Sequence, residues 1–330
     1  MIMKSVLLLF FLSLYSITTA QKTNDYLVYL DTLGNLGNDS NFKYIRVVED
    51  YHLTKERYTI KEYYKSGKIA FMGTTRIKYP LFLDGVCVSY YENGNKKLVT
   101  NYVNSNLNGK QYAWYENGNL KYEKEFTYDK VSKRSTEIII NYIDENNVKK
   151  VIDGNGEYKE QEEETYIAIG EIKDGYKEGV WNGKHTKLNI KYVETYRKGK
   201  FISGESFDEN NISHKYSEIE TPAKPVGDMI AFSDYIKRNF YLGRDSTAKT
   251  LKGRIFVEFV VNKNGEIVEP KVIRDLGFGT GTEILRLLKY AKKWNPARLR
   301  GIPTDSKYTL PVAIDIISEK IEIGISHPKY

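Results

Sequence analysis

The amino-acid sequence predicts a two-part, mainly β chain: an antiparallel β-meander of repeated units, then an α+β domain. The order expected for that domain is α-β-β-α-β, around a three-stranded antiparallel sheet. Three observations carry this reading. A tyrosine–glycine unit recurs through the first two-thirds of the chain, prolines interrupt the sequence near residue 220, and beyond them apolar residues alternate between helical and strand spacing. At 330 residues the chain exceeds the usual size of one hydrophobic core, so at least two domains are expected. The expected organisation is a signal peptide at 1–20, a repeat meander at 21–217, a linker at 218–227, the α+β domain at 228–317 and a tail at 318–330.

Lys4 precedes an apolar run at residues 6–14 and a polar stretch ending Thr18-Thr19-Ala20. A short basic region, a brief apolar core and small residues before the cut describe a secretory signal peptide. Cleavage after Ala20 is expected, with a periplasmic destination. A helix spanning a bilayer needs about 20 apolar residues, and this run is shorter. Cys87 is the only cysteine, so no intramolecular disulfide forms and packing must supply stability. Its neighbours Val86 and Val88 suggest a strand, where a small buried residue is expected.

The repeat is read from YYKSGK at 63–68, YYENGNKK at 90–97 and WYENGNLK at 114–121. Gly67, Gly94 and Gly118 lie 27 and then 24 residues apart, with Asp84-Gly85 and Asn108-Gly109 opening new strands between them. Aromatic residues end one strand, a glycine-containing turn supplies the positive φ a hairpin needs, and a basic strand returns. The 28 tyrosines suit such a sheet, since the ring covers apolar area while the hydroxyl stays wet. The pattern continues through 137–142, Gly175–Trp181, 192–196 and 198–204. These strings resemble the MORN-variant repeats of exported Gram-negative proteins, over about residues 58–215. Asp144 and Asp208 each begin an Asp-x-Asn pattern, but positions six and twelve hold Lys149 and Asn155, then Ser213 and Ile219. Neither is the glycine and glutamate of a calcium loop, so turns are expected.

Pro222 and Pro225 mark the linker. Met229, Phe232, Ile236 and Phe240 follow at helical spacing, and Ile255, Val257, Phe259 and Val261 share one face of a strand over 253–262. Asn262-Lys263-Asn264-Gly265 turns the chain into a strand over 266–275, where Pro270 implies a bulge or an edge position. A second helix is expected over 283–294, its start closed by a capping box of Thr280 and Glu283. The final strand, 308–317, alternates Tyr308, Leu310, Val312, Ile314 and Ile316.

This last segment resembles the C-terminal domain of the TonB family. The likeness rests on GRIFVEFVV at 253–261 with NGEI at 264–267, KWNPA at 293–297, GIP at 301–303 and YTLPV at 308–312. It departs at Gly227-Asp228 and Tyr241-Leu242, and the proline-rich spacer of the energy transducers is not seen. The resemblance implies an extended peptide of an outer-membrane receptor, or of another envelope protein, added as a strand in support of transport. The implied contact residues are Tyr308, Thr309, Leu310, Val312, Ala313, Ile314 and Asp315.

The net charge of +7 lies mainly after Asp228, where 18 Lys and Arg face 12 Asp and Glu. That excess supports a different class of function: a structural envelope protein binding cell-wall polymer or lipid head groups through the repeats and the basic C-terminal domain. Export argues against nucleic acid. His52, His185, His214 and His327 form no pair at metal-ligand spacing. No nucleophile elbow or Walker motif occurs, and Gly277-Phe278-Gly279-Thr280-Gly281 lacks the Gly-Lys-Ser/Thr ending of a phosphate loop. The expectation is therefore a non-enzymatic protein with no cofactor, no metal and no small-molecule substrate.

Overall fold

A computed structural model describes residues 25–32, 34–38, 40–162, 165–242, 250–317 and 320–325. The expected signal peptide and its cleavage site lie outside these residues. The described chain is mainly β, with a long antiparallel meander and two helices. It divides into two compact units. One takes the described residues up to Glu160 with Ile169–Gly179 and Arg197–Lys200; the other takes Gln161–Ala168, Val180–Tyr196 and the rest from Phe201.

In the first unit consecutive strands pair antiparallel, among them Tyr58–Tyr64, Ile69–Thr75, Gly85–Tyr90, Lys96–Val103, Gly109–Trp114, Leu120–Asp129 and Arg134–Ile143. The repeated turns are built alike. Tyr91 N–H donates to Asn95 O (2.8 Å) and Gly94 N–H to Tyr91 O (2.9 Å). One repeat on, Tyr115 donates to Asn119 and Gly118 to Tyr115, both at 2.9 Å. Positive φ falls on the glycines, 96° at Gly94 and 90° at Gly118. The register slips by one residue beside each turn, between Ser89 and Tyr90 and between Ala113 and Trp114. Only a residue without Cβ takes that backbone cheaply, and the slip is the bulge that accompanies it.

Tyrosine hydroxyls then tie repeat to repeat. Tyr64 Oη donates to Tyr90 O (2.7 Å), Tyr91 Oη to Trp114 O (2.8 Å) and Tyr115 Oη to Ile143 O (2.9 Å). Lys97 and Lys121 lie over the Tyr91 and Tyr115 rings. Asp144 works as a turn residue, its carboxylate accepting from Asn146 and Val148 N–H groups. Asp208 does the same for Asn210 and Ile212. Cys87 is buried beside Gly73, and burial pushes its thiol pKa up.

The second unit carries an apolar core formed by one face of a sheet and two helices. Helix α1, Met229–Asn239, is capped by Asp228, whose carboxylate accepts from Ala231 N–H at 2.7 Å. It buries Phe232 and Ile236. Helix α2, Thr280–Lys289, starts three residues before the expected point. The expected capping box is not formed. Gly279 stands at the N-cap in the left-handed region, and Asp275 accepts from Thr280 Oγ1 (2.8 Å) and Gly281 N–H (3.0 Å). Glu283 is turned to Tyr241 N–H and Arg286 instead.

The sheet also differs from expectation. It has four strands in the order Ile267–Arg274, Thr250–Val261, Ser306–Ile317, Lys320–Ile325, all antiparallel. The fourth falls inside the segment read as a tail. Its alternating Ile321, Ile323 and Ile325 carried the signal, and Ile323 joins the core. Residues 269–270 have no register partner in the hairpin of the first two strands, so Pro270 sits in a bulge on an edge strand. The segment read as a linker forms two short ladders, Glu220–Thr221 with Arg298 and Leu299, and Lys224–Pro225 with Trp294 and Asn295.

Arg300 belongs to the same unit. Its backbone N–H donates to Ile219 O (2.6 Å), and Ser206 Oγ donates to Arg300 O (2.6 Å). The guanidinium lies 3.8 Å from the centre of the Tyr192 ring, and Nε donates to Glu194 Oε1 at 2.9 Å. Tyr216 and Tyr196 hydroxyls donate to the same carboxylate, at 2.9 and 2.8 Å. Each charge removed from water here is matched by an opposite charge or a donor, which burial demands.

Candidate partner-binding edge

The residues singled out from the sequence lie on the strand Ser306–Ile317. It is long because Tyr308, Leu310, Val312, Ile314 and Ile316 all face the core, each 6% exposed or less. Thr250–Val261 pairs with its whole length, Ile255 opposite Val312 and Phe259 opposite Tyr308. Trp294 fixes the end near Tyr308. Its ring meets Tyr308, Phe232 and Phe259 edge-on, at centroid distances of 4.9, 5.2 and 5.5 Å. Trp294 N–H donates to Gly265 O (2.7 Å), and a Cβ on Gly265 would sit 2.0 Å from Trp294 O. The hairpin turn is thus held against the tryptophan by a contact only glycine permits.

The other side of this strand is divided. Val312 to Ile317 pair with Ile325 to Lys320 of the chain itself. Among the described residues no strand pairs with 306–311 on that side. Of the seven residues expected to meet a partner, Tyr308, Thr309 and Leu310 therefore lie along an open edge. Val312, Ala313, Ile314 and Asp315 have both sides occupied. Pro311, which has no N–H to offer, stands where the resident strand stops.

The solvent face of the sheet is charged. Glu258 lies between Lys271 and Lys307, 2.8 Å from each, and these hydrogen-bonded ammonium groups hold its carboxyl below the usual range. Lys252 pairs with Asp315 across the strands. An added strand would thus meet Lys307 and Thr309 on one face of the edge and the Tyr308–Leu310 side on the other. Alternation along a strand makes that two-sided reading unavoidable. Sequence reasoning found the strand; it missed the strand at 320–325 that closes half of it. Comparison with family models, curated proteins and solved structures finds no match to this chain.

Proposed function

We propose that the protein is a non-enzymatic interaction protein of the cell envelope that takes an extended peptide of another envelope protein onto its C-terminal sheet. The observation that carries this is the half-open strand. Among the described residues, 306–310 have a strand partner on one side only, and 320–325 pairs on the other side from Val312 onward. A peptide laid along 306–310 would extend the fourth strand in line with the resident one. Main-chain hydrogen bonds would supply affinity, and the charged and aromatic faces of the edge would supply selectivity. The family likeness of 253–312 points the same way, with an outer-membrane receptor as the implied partner.

A photo-crosslinking side chain introduced at Thr309, with a control at Ile273 on the opposite edge strand, tests the proposal in the native envelope. The expected result is one extended stretch of an envelope protein joined to position 309 and not to 273. Crosslinks to wall polymer alone, or equal labelling from both positions, would sink it.

A further inference from the structure

The hairpins of the first unit have two chemically different ends. At one end lie the turns 65–68, 92–95, 116–119 and 144–147, made of Lys, Ser, Gly, Glu, Asp and Asn. Exposed large apolar side chains there are Leu36 and Val148. At the other end lie the turns 49–57, 76–84, 104–108 and 130–133. Here Leu53, Ile77, Tyr79, Val103 and Val131 are exposed, Tyr79 by 76% and Val131 by 92%.

These tips form a connected row. Arg57 pairs with Asp84 (2.7 Å), Ser105 N–H donates to Leu83 O (2.8 Å) and Tyr128 N–H to Asn108 Oδ1 (3.1 Å). Ser135 Oγ reaches back to Leu107 O at 2.9 Å. The Lys78 ammonium beside Tyr79 lies over the Tyr51 and Tyr58 rings, at 4.9 and 4.7 Å. Lys130, Lys133 and Arg134 flank Val131 in the sequence of this turn. Of the acidic groups at this end, Asp84 pairs with Arg57 and Arg76, Asp50 with Lys55 and Glu49 with Lys61, while Asp129 accepts from Val131 and Ser132 N–H groups; Lys78, Lys130, Lys133 and Arg134 then outnumber Glu56 and Asp129.

From this pairing of projecting apolar tips with an excess of cations we infer that this end of the meander docks on a bilayer surface containing anionic phospholipid. Separate knobs do not fit a flat protein partner, whose interface needs a contiguous patch. They do fit a headgroup layer, where tyrosine and aliphatic tips sink a few ångströms and lysine or arginine stems reach back to phosphate. Each basic side chain near such a surface is worth about fivefold in affinity. The inference stands on different residues from the strand-addition edge and does not depend on it.

The test uses the full chain. Cys87 is buried, so a fluorophore sensitive to polarity can be placed at Val131→Cys or, as a control at the opposite end, at Asn117→Cys. With vesicles of phosphatidylethanolamine and phosphatidylglycerol, emission from position 131 should shift to the blue and that from 117 should not. Lys130→Glu with Lys133→Glu should weaken vesicle binding at least about tenfold. Unfolding curves of the variants establish that the repeats remain folded. Equal shifts at both positions, no shift at either, or unchanged binding by the charge variant would overturn the inference. So would a shift at 131 on self-association without vesicles, which would assign the row to a second copy.

Discussion

Ile60, Cys87, Gln111, Lys124 and Tyr142 in the meander occupy the same kind of position as Ile255, Val257, Leu310 and Val312 in the C-terminal sheet. All are alternate strand residues with side chains out of water. What fills the two sets differs. The C-terminal positions are aliphatic and belong to one shared apolar core that includes Trp294. The meander positions are mixed: Gln111 Nε2 donates to Thr100 Oγ1 (3.2 Å), Tyr122 Oη to Gln111 Oε1 (3.1 Å) and Lys124 Nζ to Glu137 Oε1 (2.7 Å). A shared core stands or falls together, whereas a ladder of paired rungs shares its stability among neighbours. The difference teaches that one chain can hold strands by two routes, and that mutations should report which route applies.

The largest loss is expected in the shared core. Trp294→Ala should cost about 3–5 kcal/mol in denaturant unfolding of the C-terminal unit. Trp294→Phe should cost much less, because among the described residues the buried Nε1 has no hydrogen-bond acceptor to lose. Similar losses for both would mean that the indole nitrogen is held after all.

Arg300→Ala should cost about 3 kcal/mol or more, since it leaves Glu194 charged, 3% exposed and short of its partner. Replacing both, Arg300→Met with Glu194→Gln, should recover most of that. A double variant as unstable as the single one would show that the stacking on Tyr192 matters more than the charge.

Loss in the ladder should be small and local. Tyr91→Phe removes the bond to Trp114 O and should cost about 1 kcal/mol. Hydrogen exchange should quicken in the strands 85–114 and stay unchanged beyond residue 250. Faster exchange in both regions would mean that the meander and the C-terminal sheet open together.

The smallest effect is a pH dependence. Burial first, and then the nearby Arg300 charge, lower the His185 pKa below its ordinary 6.5. Its Nδ1 also accepts from Leu188 N–H at 3.2 Å, which fits the neutral ring. The unfolded chain therefore binds this proton more readily, so stability present above about pH 6.5 should decline as the pH falls. His185→Asn should flatten that slope, measured as denaturation midpoints between about pH 7 and 5. An identical slope in the variant would assign it to other groups.

Much of this was legible in particular residues. Asn-Gly turns, strand alternation and the spacing of Phe232 and Ile236 are local signals, set by backbone preference and side-chain period within a few residues. The bulge at Pro270 is of the same kind. The strand 320–325 shows alternation too, yet six residues near a chain end do not say whether they pair, because pairing requires a partner edge that only the folded sheet provides. The half of Ser306–Ile317 that stays open was hidden for that reason.

By itself, then, the amino-acid sequence determined the hairpin positions, the helix faces and the alternation of the last long strand. Only the tertiary structure decided which edges are closed, and that the Arg300 side chain, 11% exposed, packs against Glu194, 106 residues earlier in the chain. Local patterns encode conformation, but the burial of a charge depends on a compensating group that sequence distance does not reveal.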